Sequence, residues 1–448
     1  MKQDLPRTLT QTDLVLLLVG TVIGSGIFLV PGGVLQQSGG HIGLALMVWL
    51  IGGILSLLGA LTYGELGAMN PAAGGLYVYM RDAFGRLPAF LYGWTLFFVI
   101  SSGSVATLAV AFARYAEQLI DLSPLVERLV AVGMIVVVAI VNVLGTRKSA
   151  NVQNWTTGIK VAAIIVMSLA LIAFGDGLGS VRGQAWPDVG AAGLVAGLGT
   201  AMIGVLWAYE GWQYVTFAAG ETVEPERNFP RAMLIGTSAL IAIYLLPNIA
   251  YIAALGPDGV VRSDRVASEA VTALMGPTAG NLIAAAILIS IFSAANGLTL
   301  TAPRVYFAMA RDRVFFSRLA DIHPRFGTPA FAIVASSAWA VLLAATGTFE
   351  QLLTYVVFAG WIFYALGAMS IFAYRRRRPA AKRPFSVPLY PLTPLLFILA
   401  AAAIVLNTVI AQPGRALVGI AVVLLGAPAY LFWSSKLNAS ARTAGGAP

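Results

Sequence analysis

A glycine-serine-glycine triplet, Gly24, Ser25 and Gly26, lies in the middle of an apolar stretch that is long enough to cross a bilayer. Glycine weakens a helix, and hydrocarbon cannot satisfy a free backbone amide or a serine hydroxyl. Amides freed at mid-membrane therefore require a polar partner, and a bound solute can be that partner. The alternative is close packing of helices, which small residues also permit in membranes. We favour the solute site because a second interruption follows later in the chain.

The second interruption lies in residues 207–214 (WAYEGWQY), where the carboxylate of Glu210, a glycine and several aromatic rings fall inside an apolar segment. The two interruptions occupy corresponding positions if the chain consists of two units of five spans each. An odd number of spans inverts the second unit relative to the first. Paired broken helices in inverted repeats indicate a binding site near the bilayer midplane.

The composition excludes a soluble globular protein. Of the 448 residues, 58% are hydrophobic and 10% are charged, whereas soluble domains carry about 25% charged residues. The chain has no cysteine, so we expect no disulfide and no thiolate metal site. Its two histidines, His41 and His323, fall in predicted loops, and we expect no metal or other cofactor. The first apolar run lacks a small-residue cleavage site, so we expect no cleaved signal peptide.

Hydropathy predicts twelve membrane spans of about twenty residues each. The predicted limits are 14–35, 42–68, 88–116, 129–146, 153–174, 192–217, 232–255, 279–308, 329–346, 352–374, 391–411 and 415–433. The chain then divides into an N-terminal segment 1–13, a first repeat 14–174, a loop 175–191, a second repeat 192–374, a basic loop 375–390, two further spans in 391–433 and a tail 434–448.

The basic residues predict the orientation. If both termini share one side, 21 of the 28 Lys and Arg residues lie on that side and Lys160 lies inside a span. The remaining six are Arg114, Arg128, Arg182, Arg262, Arg265 and Arg415. Cytoplasmic loops carry the excess of basic residues, so both termini are predicted to be cytoplasmic. The net charge of +9 is then mainly a topology signal. We interpret the run of four arginines at 375–378, with Lys382 and Arg383, as a flank that ends the tenth span, in preference to an anionic-lipid site.

Five parts of the chain resemble the amino acid–polyamine–organocation (APC) superfamily of transporters, especially its L-amino-acid transporter branch. They are residues 20–28 (GTVIGSGIF); 63–67 (YGELG) with 74–79 (GGLYVY); 207–212 (WAYEGW); Glu221 with 225–230 (PERNFP); and Asn296 and Gly297 with Arg304 and residues 310–312 (ARD). The order and spacing hold along almost the whole chain. The resemblance implies an all-α membrane protein of twelve helices in a five-plus-five inverted repeat (LeuT-like fold), with helices 1 and 6 discontinuous.

The resemblance also implies how an amino acid is held. The backbone amides around Gly24, Ser25 and Gly26, with the Ser25 hydroxyl, would bind the substrate carboxylate. The carbonyls of Val22, Trp207 and Glu210 would accept from its ammonium group. Broken helices supply such donors and acceptors without burying charged side chains.

Two further residues match functional positions of the superfamily. Trp207 corresponds to an aromatic gate over the substrate, and we favour that role over simple core packing. Lys160 corresponds to a lysine that reaches the broken first helix where sodium-coupled relatives bind a cation, which implies sodium-independent transport. The alternative for Lys160 is a side chain that snorkels to the interface.

The acidic residues leave more alternatives open. We expect Glu65 to form a structural ion pair, with Arg81 as one partner, rather than to relay protons. The Glu210 side chain could face the substrate ammonium, tune a proton site or point into a watery vestibule. Glu221 and the charged residues after it lie opposite residues 311–313, and a network there would bias a closed state.

We therefore predict a sodium-independent amino acid transporter of the inner membrane of a bacterial-type cell, an exchanger of neutral L-amino acids. A proton-coupled symporter, in which Lys160 would titrate in each cycle, and a cationic amino acid or polyamine carrier remain as alternatives. An enzyme is disfavoured because the spans contain no nucleophile–base pair, metal cluster or paired carboxylates. A channel is disfavoured because a midplane site suits binding and release. The expected partners are a small-molecule substrate and the lipid bilayer, without nucleic acid. Mammalian members of the branch are joined to a heavy subunit through a cysteine; this chain has none, which implies a monomer or a non-covalent oligomer.

Overall fold

The computed structural model describes residues 5–181, 186 and 191–444, and this part of the chain is helical almost throughout. Its α-helices are α1 (Gln11–Val22), α2 (Gly26–Leu29), α3 (Pro31–Gln37), α4 (Ile42–Met69), α5 (Leu76–Phe84), α6 (Arg86–Thr95), α7 (Ser101–Glu117), α8 (Pro124–Val143), α9 (Thr146–Phe174), α10 (Ala191–Ala208), α11 (Pro225–Arg262), α12 (Val266–Met275), α13 (Pro277–Thr301), α14 (Pro303–Arg311), α15 (Ala330–Thr346), α16 (Phe349–Arg377), α17 (Leu392–Ala411) and α18 (Pro413–Ala444). A π-helical turn, Leu96–Ile100, joins α6 to α7, and 3₁₀ segments occupy Gly177–Val181, Trp212–Glu221 and Ser317–Ala320.

Ten helical segments of the described chain are long and apolar enough to cross a membrane. They are Gln11–Leu29, Ile42–Met69, Arg86–Glu117, Pro124–Val143, Thr146–Phe174, Pro225–Arg262, Pro277–Arg311, Glu350–Arg377, Leu392–Ala411 and Pro413–Ser435. The chain is thus an integral membrane protein. The sixth and ninth predicted spans coincide with α10 and with α15, an apolar helix of 17 residues. The count of twelve crossings stays a prediction.

Local sequence signals explain where the central helices begin and end. Thr10 caps α1 and forms a reciprocal capping box with Asp13, which satisfies two amides that the first turn leaves free. The sixth span was expected to continue to residue 217, but α10 ends at Ala208. Gly211 follows with a φ angle of 129°, a conformation that favours glycine, and the chain continues as the 3₁₀ segment. The helix therefore breaks beside Glu210, inside the predicted interruption.

The first span lies in the core of the helix bundle, and the last two lie at its edge. In the most apolar window of Gln11–Leu29, 78% of the residues are buried, compared with 22% for Leu392–Ala411 and 17% for Pro413–Ser435. Helix α1 packs against α9, α11 and α13 and against the 3₁₀ segment after α10. A polar break in this span is therefore enclosed by protein.

Some predicted boundaries fall on residues outside the described part. The segment 1–13 and the loop 175–191 are described only in part, and Arg182 of the charge count is not among the described residues. The tail expected at 434–448 is helical up to Ala444, because residues 434–444 contain neither glycine nor proline and Gly445 follows them.

Candidate functional site

The first span is interrupted between α1 and α2. Helix α1 ends at Val22, and Ile23 has a ψ angle of 88°, which turns the backbone out of the helix. In the described structure, the backbone amides of Gly24, Ser25 and Gly26 have no hydrogen-bond acceptor. The Ser25 hydroxyl is also buried without a partner. The break thus presents four unused polar groups at one point in the core.

The sixth span is interrupted beside it. The amide of Glu210 donates to the carbonyl oxygen of Trp207 over 3.0 Å, which closes a tight turn at the end of α10. A Cβ atom added to Gly26 would lie 2.5 Å from Cα of Ala208 and 2.7 Å from its Cβ. Gly26 therefore allows the two breaks to touch, so small-residue packing and the proposed solute site coexist at this position.

Tyr244 of α11 connects the two breaks. Its hydroxyl lies 3.0 Å from the carbonyl oxygen of Val22 and 2.8 Å from that of Ala208. One hydroxyl proton serves only one of these acceptors at a time, so the other retains capacity for a second donor. Sequence reasoning missed this residue because a tyrosine in an apolar helix carries no motif. Its contact is created by the tertiary packing of α1 against α11.

A small cavity separates the two breaks. It is lined by Thr21, Val22, Gly24, Ser25, Gly26, Ser104, Leu108, Trp207, Glu210 and Leu298. Six of the seven residues predicted for the site are therefore brought together, and Lys160 lies outside the lining. The cavity volume is about 20 Å³, which accommodates about one water molecule. An amino acid requires a wider site than this conformation provides.

Lys160 contacts the broken first span without bordering the cavity. Its ammonium nitrogen donates to the carbonyl oxygens of Gly20 and Ile23, each over 2.6 Å, and to that of Ser290 over 3.3 Å. The Ser290 hydroxyl donates to the same Ile23 oxygen over 3.1 Å. The side chain of Lys160 is 1% exposed, so it does not snorkel to the surface in this structure.

The Glu210 carboxylate lines the cavity and is also bound by neutral donors. It accepts from Gln213 Nε2 over 2.6 Å and from the hydroxyl of Tyr364 on α16. Gln213 Nε2 additionally contacts the Tyr364 hydroxyl over 2.7 Å. In the part of the chain that the structure describes, no basic side chain forms an ion pair with this carboxylate. A buried carboxylate without a cation can accept a proton or a cationic group.

Two polar side chains of the third and eighth spans, Ser104 and Asn296, have different surroundings. Ser104 borders the cavity, with its hydroxyl bonded to the Ile100 carbonyl over 2.7 Å. Asn296 lies elsewhere and forms a buried network, in which its Oδ1 accepts from Asn142 over 2.9 Å and its Nδ2 donates to Gln153 Oε1 over 3.0 Å. Asn296 therefore joins α13 to α8 and α9, away from the cavity lining.

Ion pairs close the end of the bundle where α1 and α11 begin. The prediction that Arg81 pairs with Glu65 was wrong. Glu65 accepts from Arg375 Nε over 2.8 Å and from its Nη2 over 2.7 Å, whereas Arg81 contacts Asp312 over 2.7 Å. Tertiary packing explains this choice of partner, because α16 packs against α4 and places Arg375 of its last turn beside Glu65.

A second ion pair at this end involves Glu221, the last residue of the 3₁₀ segment after α10. Its carboxylate pairs with Arg304 Nε over 2.7 Å, and both side chains are 1% exposed. The Arg304 guanidinium also donates to Thr146 Oγ1 over 2.8 Å. Glu221, which the sequence places opposite residues 311–313, therefore pairs with Arg304 of α14 instead. This pair joins the sixth-span exit to α14 and α9.

Tyr77 adds a neutral contact to the same closed end. Its hydroxyl lies 2.8 Å from Asp312, which also accepts from Arg81. Burial, followed by the charge of Asp312, raises the pKa of Tyr77. The hydroxyl therefore stays protonated at neutral pH and donates to the carboxylate.

A more open cavity lies at the other end of the interrupted first span. Its volume is about 550 Å³, and it is lined by Leu29, Gly33, Gln36, Arg114, Glu117, Glu127, Val261, Ser263, Asp264, Arg265 and Glu350. An exposed ion pair of 3.2 Å between Arg114 and Glu350 stands at this end. Ion pairs thus occupy the Glu65 end of the bundle, and the larger cavity lies at the Arg114 end.

Comparison with known proteins identifies the family. The profile of the family described as "Amino acid permease" matches residues 9–431. The chain is 33% identical to the "Serine/threonine exchanger SteT" of Bacillus subtilis, over 92% of this chain and 94% of that protein. It is 32% identical to the mouse "Large neutral amino acids transporter small subunit 2", over 94% and 80%. It is 30% identical to the human "Cystine/glutamate transporter", over 97% and 87%. The chain is therefore an amino acid permease of the APC superfamily, close to its L-amino-acid transporter branch.

Proposed function

We propose that this permease is a sodium-independent exchanger of neutral L-amino acids that works by alternating access. The observation that carries the proposal is the juxtaposition of two helix breaks around unpaired groups of Gly24, Ser25 and Gly26. The names of two of the relatives, the serine/threonine exchanger and the large neutral amino acids transporter, support neutral substrates. The third relative, named for cystine and glutamate, shows why the substrate needs a direct test.

The first-span break binds the substrate carboxylate in this proposal. Three backbone amides and the Ser25 hydroxyl are available there, and none is occupied by another group of the described chain. Backbone amides in a water-poor core bind a carboxylate strongly, because they are already fixed in position and have no other acceptor. No basic side chain is needed, so the site can release the substrate again.

The ammonium group of the substrate is held by carbonyl oxygens at the same breaks. The Val22 oxygen shares the Tyr244 hydroxyl with Ala208, and the Trp207 oxygen accepts from the Glu210 amide. Each carbonyl oxygen has two lone pairs and can accept a further donor. The carbonyl of Glu210 completes the set. The Trp207 indole borders the cavity and covers the substrate side chain as a lid, beside Leu108 and Leu298.

Lys160 replaces a coupling metal ion in this proposal. Its ammonium already contacts three carbonyl oxygens, two of them at the end of α1. Main-chain carbonyls are also the ligands that a sodium ion would require at a broken helix. A permanent cation here would organise the break without sodium and without a change of charge during the cycle.

Alternating access requires that the site widen and open to one side at a time. The present cavity is too small for an amino acid, and the Glu65–Arg375 and Glu221–Arg304 pairs seal one end. We propose that this sealed end faces the cytoplasm, that α10 and α15 complete twelve crossings in two inverted repeats, and that both termini are cytoplasmic. In this scheme the protein resides in a bacterial-type inner membrane. The chain contains no cysteine for a disulfide to a second subunit.

A second candidate function rests on Glu210. The buried carboxylate meets only the neutral donors Gln213 and Tyr364 and borders the cavity. It could therefore bind a proton that is carried with the substrate, or the cationic group of a basic amino acid or polyamine. These are the proton-coupled symporter and the cationic carrier. The exchanger of neutral substrates is preferred because Lys160 is fixed by carbonyls and the lining contains apolar side chains beside Trp207.

A ligand screen tests the substrate class. Purified protein in detergent is heated with each common amino acid, because a ligand that binds the folded state raises the unfolding temperature. The proposal expects the largest shifts from neutral L-amino acids and no dependence on sodium. Shifts confined to lysine, arginine or polyamines would support the cationic carrier instead.

A further inference from the structure

The basic segment after α16 divides into an inward and an outward part. Arg375 turns inward to Glu65, and its guanidinium lies 3.7 Å from the ring centre of Tyr390. Four following residues, Arg376, Arg377, Arg378 and Lys382, are exposed, and we call them the basic patch. If these basic residues only fixed the orientation of the tenth span, positive charge alone would be enough. The separation into one inward arginine and four exposed cations would not be required.

The carboxylates around the basic patch do not neutralise it. Glu65 pairs with Arg375 and Arg383, and Asp312 pairs with Arg81. Asp82, which already pairs with Arg81, lies 3.5 Å from Arg378, while Arg377 contacts only the backbone oxygen of Asp82. Seven cations, the four of the patch with Arg81, Arg375 and Arg383, thus face three carboxylates, which leaves a net charge of +4. Within the described chain, the side chains of Arg376 and Lys382 have no hydrogen-bond or ion-pair partner.

Exposed apolar side chains follow the basic patch in the chain. Leu389 is 76% exposed and Leu392 is 52% exposed. The contact of Arg375 with Tyr390, together with that of Phe372 with Tyr390 at 5.6 Å, holds this loop against the last turns of α16. The patch therefore combines unpaired cations with exposed leucines at the end of a membrane span, which fits a molecule with an anionic head and an apolar tail.

We propose that the basic patch is a binding site for an anionic phospholipid. The headgroup phosphate is held by Arg376, Arg378 and Lys382, and the acyl chains lie against Leu389 and Leu392. Binding does not depend on which solute the permease carries. The Asp82 carboxylate lies 3.5 Å from Arg378, so its negative charge repels the headgroup phosphate and weakens binding.

The binding test uses the full-length protein in a neutral detergent and native mass spectrometry. The probes are dioctanoylphosphatidylglycerol, dioctanoylphosphatidylcholine and glycerol 1-phosphate. The proposal expects saturable binding of the phosphatidylglycerol alone. Equal binding of the phosphatidylcholine would show that the charge is irrelevant, and equal affinity for glycerol 1-phosphate would identify a free-phosphate site; either result overturns the lipid site.

Two matched variants locate the site. R376Q/K382Q removes two cations that hold no side-chain partner, and the affinity for phosphatidylglycerol should fall about fivefold for each residue removed. R227Q/R231Q removes two exposed cations from the start of α11 and should leave the affinity unchanged. D82N removes the opposing carboxylate and should increase the affinity. An unchanged affinity in R376Q/K382Q, an equal loss in R227Q/R231Q, or weaker binding in a folded D82N would contradict the proposal.

Discussion

The ammonium nitrogen of Lys160 lies 2.6 Å from the carbonyl oxygen of Ile23, the residue at which the first span leaves its helical path. A helix that ends in the core leaves carbonyl oxygens that must find donors. Lys160 supplies them for both Gly20 and Ile23, and so connects α9 to the break. The geometry of the first-span break thus depends on a cation that does not border the cavity.

Lys160→Ala should lower the stability and abolish most of the exchange. The variant leaves the buried Gly20 carbonyl without its donor and leaves the Ile23 carbonyl with the Ser290 hydroxyl alone. Each lost hydrogen bond to the charged group costs about 1–3 kcal/mol. Thermal unfolding in detergent and exchange in liposomes measure the two effects. Lys148→Ala, at an exposed position of the same helix, is the control and should resemble the wild type. Normal exchange by Lys160→Ala would remove the lysine from the mechanism.

Ser25→Ala should weaken substrate binding by about tenfold or more, because it removes one donor to a carboxylate. The folded structure should be little affected, since the Ser25 hydroxyl is buried without a partner. Ser168→Ala is a close control because the Ser168 hydroxyl is also buried and unpartnered, but lies outside the cavity lining. Binding is measured by the thermal shift with substrate. Equal affinities in the two variants would place the carboxylate elsewhere.

Tyr244→Phe should reduce turnover, because its hydroxyl lies within hydrogen-bond distance of carbonyl oxygens at both breaks and donates to one of them at a time. Tyr251→Phe provides the control: Tyr251 lies on the same helix, is fully buried and has an unpartnered hydroxyl. Initial rates of exchange at saturating substrate measure the effect. If both variants lose the same activity, the connection between the breaks is not what Tyr244 contributes.

Trp207→Ala should reduce turnover strongly, and Trp207→Phe should retain part of it, because a phenyl ring restores some of the lid. Substrate should change the tryptophan fluorescence of the wild type and not that of Trp207→Phe. Trp339→Phe, whose indole bonds the Phe98 carbonyl away from the cavity, should keep the fluorescence response. A response that survives in Trp207→Phe would assign Trp207 to packing alone.

Glu210→Gln separates the two candidate functions. A neutral exchanger should retain exchange in this variant, because glutamine keeps the contacts with Gln213 and Tyr364 through its amide oxygen. A proton-coupled symporter or a cationic carrier should lose accumulation or affinity. The readouts are counter-flow of a neutral amino acid and the pH dependence of uptake in wild type and variant.

The two helix breaks could be predicted from the sequence, because glycine, serine and a carboxylate inside apolar runs conflict with a continuous membrane helix. Their contact could not, since it depends on how α1 packs against α10 and α11. Gly26 illustrates the limit: its type suggested a carboxylate site, yet the structure also shows it against Ala208. Gly26→Leu would therefore disrupt both packing and binding, so Ser25→Ala is the sharper test. The partners of Glu65 and Glu221 were likewise fixed by tertiary packing, which brings distant helices together.

Counter-transport in liposomes that contain only the purified permease distinguishes an exchanger from a symporter or a channel. An exchanger of neutral amino acids should show saturable uptake of a labelled neutral amino acid that requires unlabelled amino acid inside. Uptake should change little when sodium is replaced by choline or when a proton gradient is imposed. Concentrative uptake into empty liposomes that a protonophore abolishes would contradict the exchanger and support proton symport. Uptake that never saturates would contradict a carrier altogether.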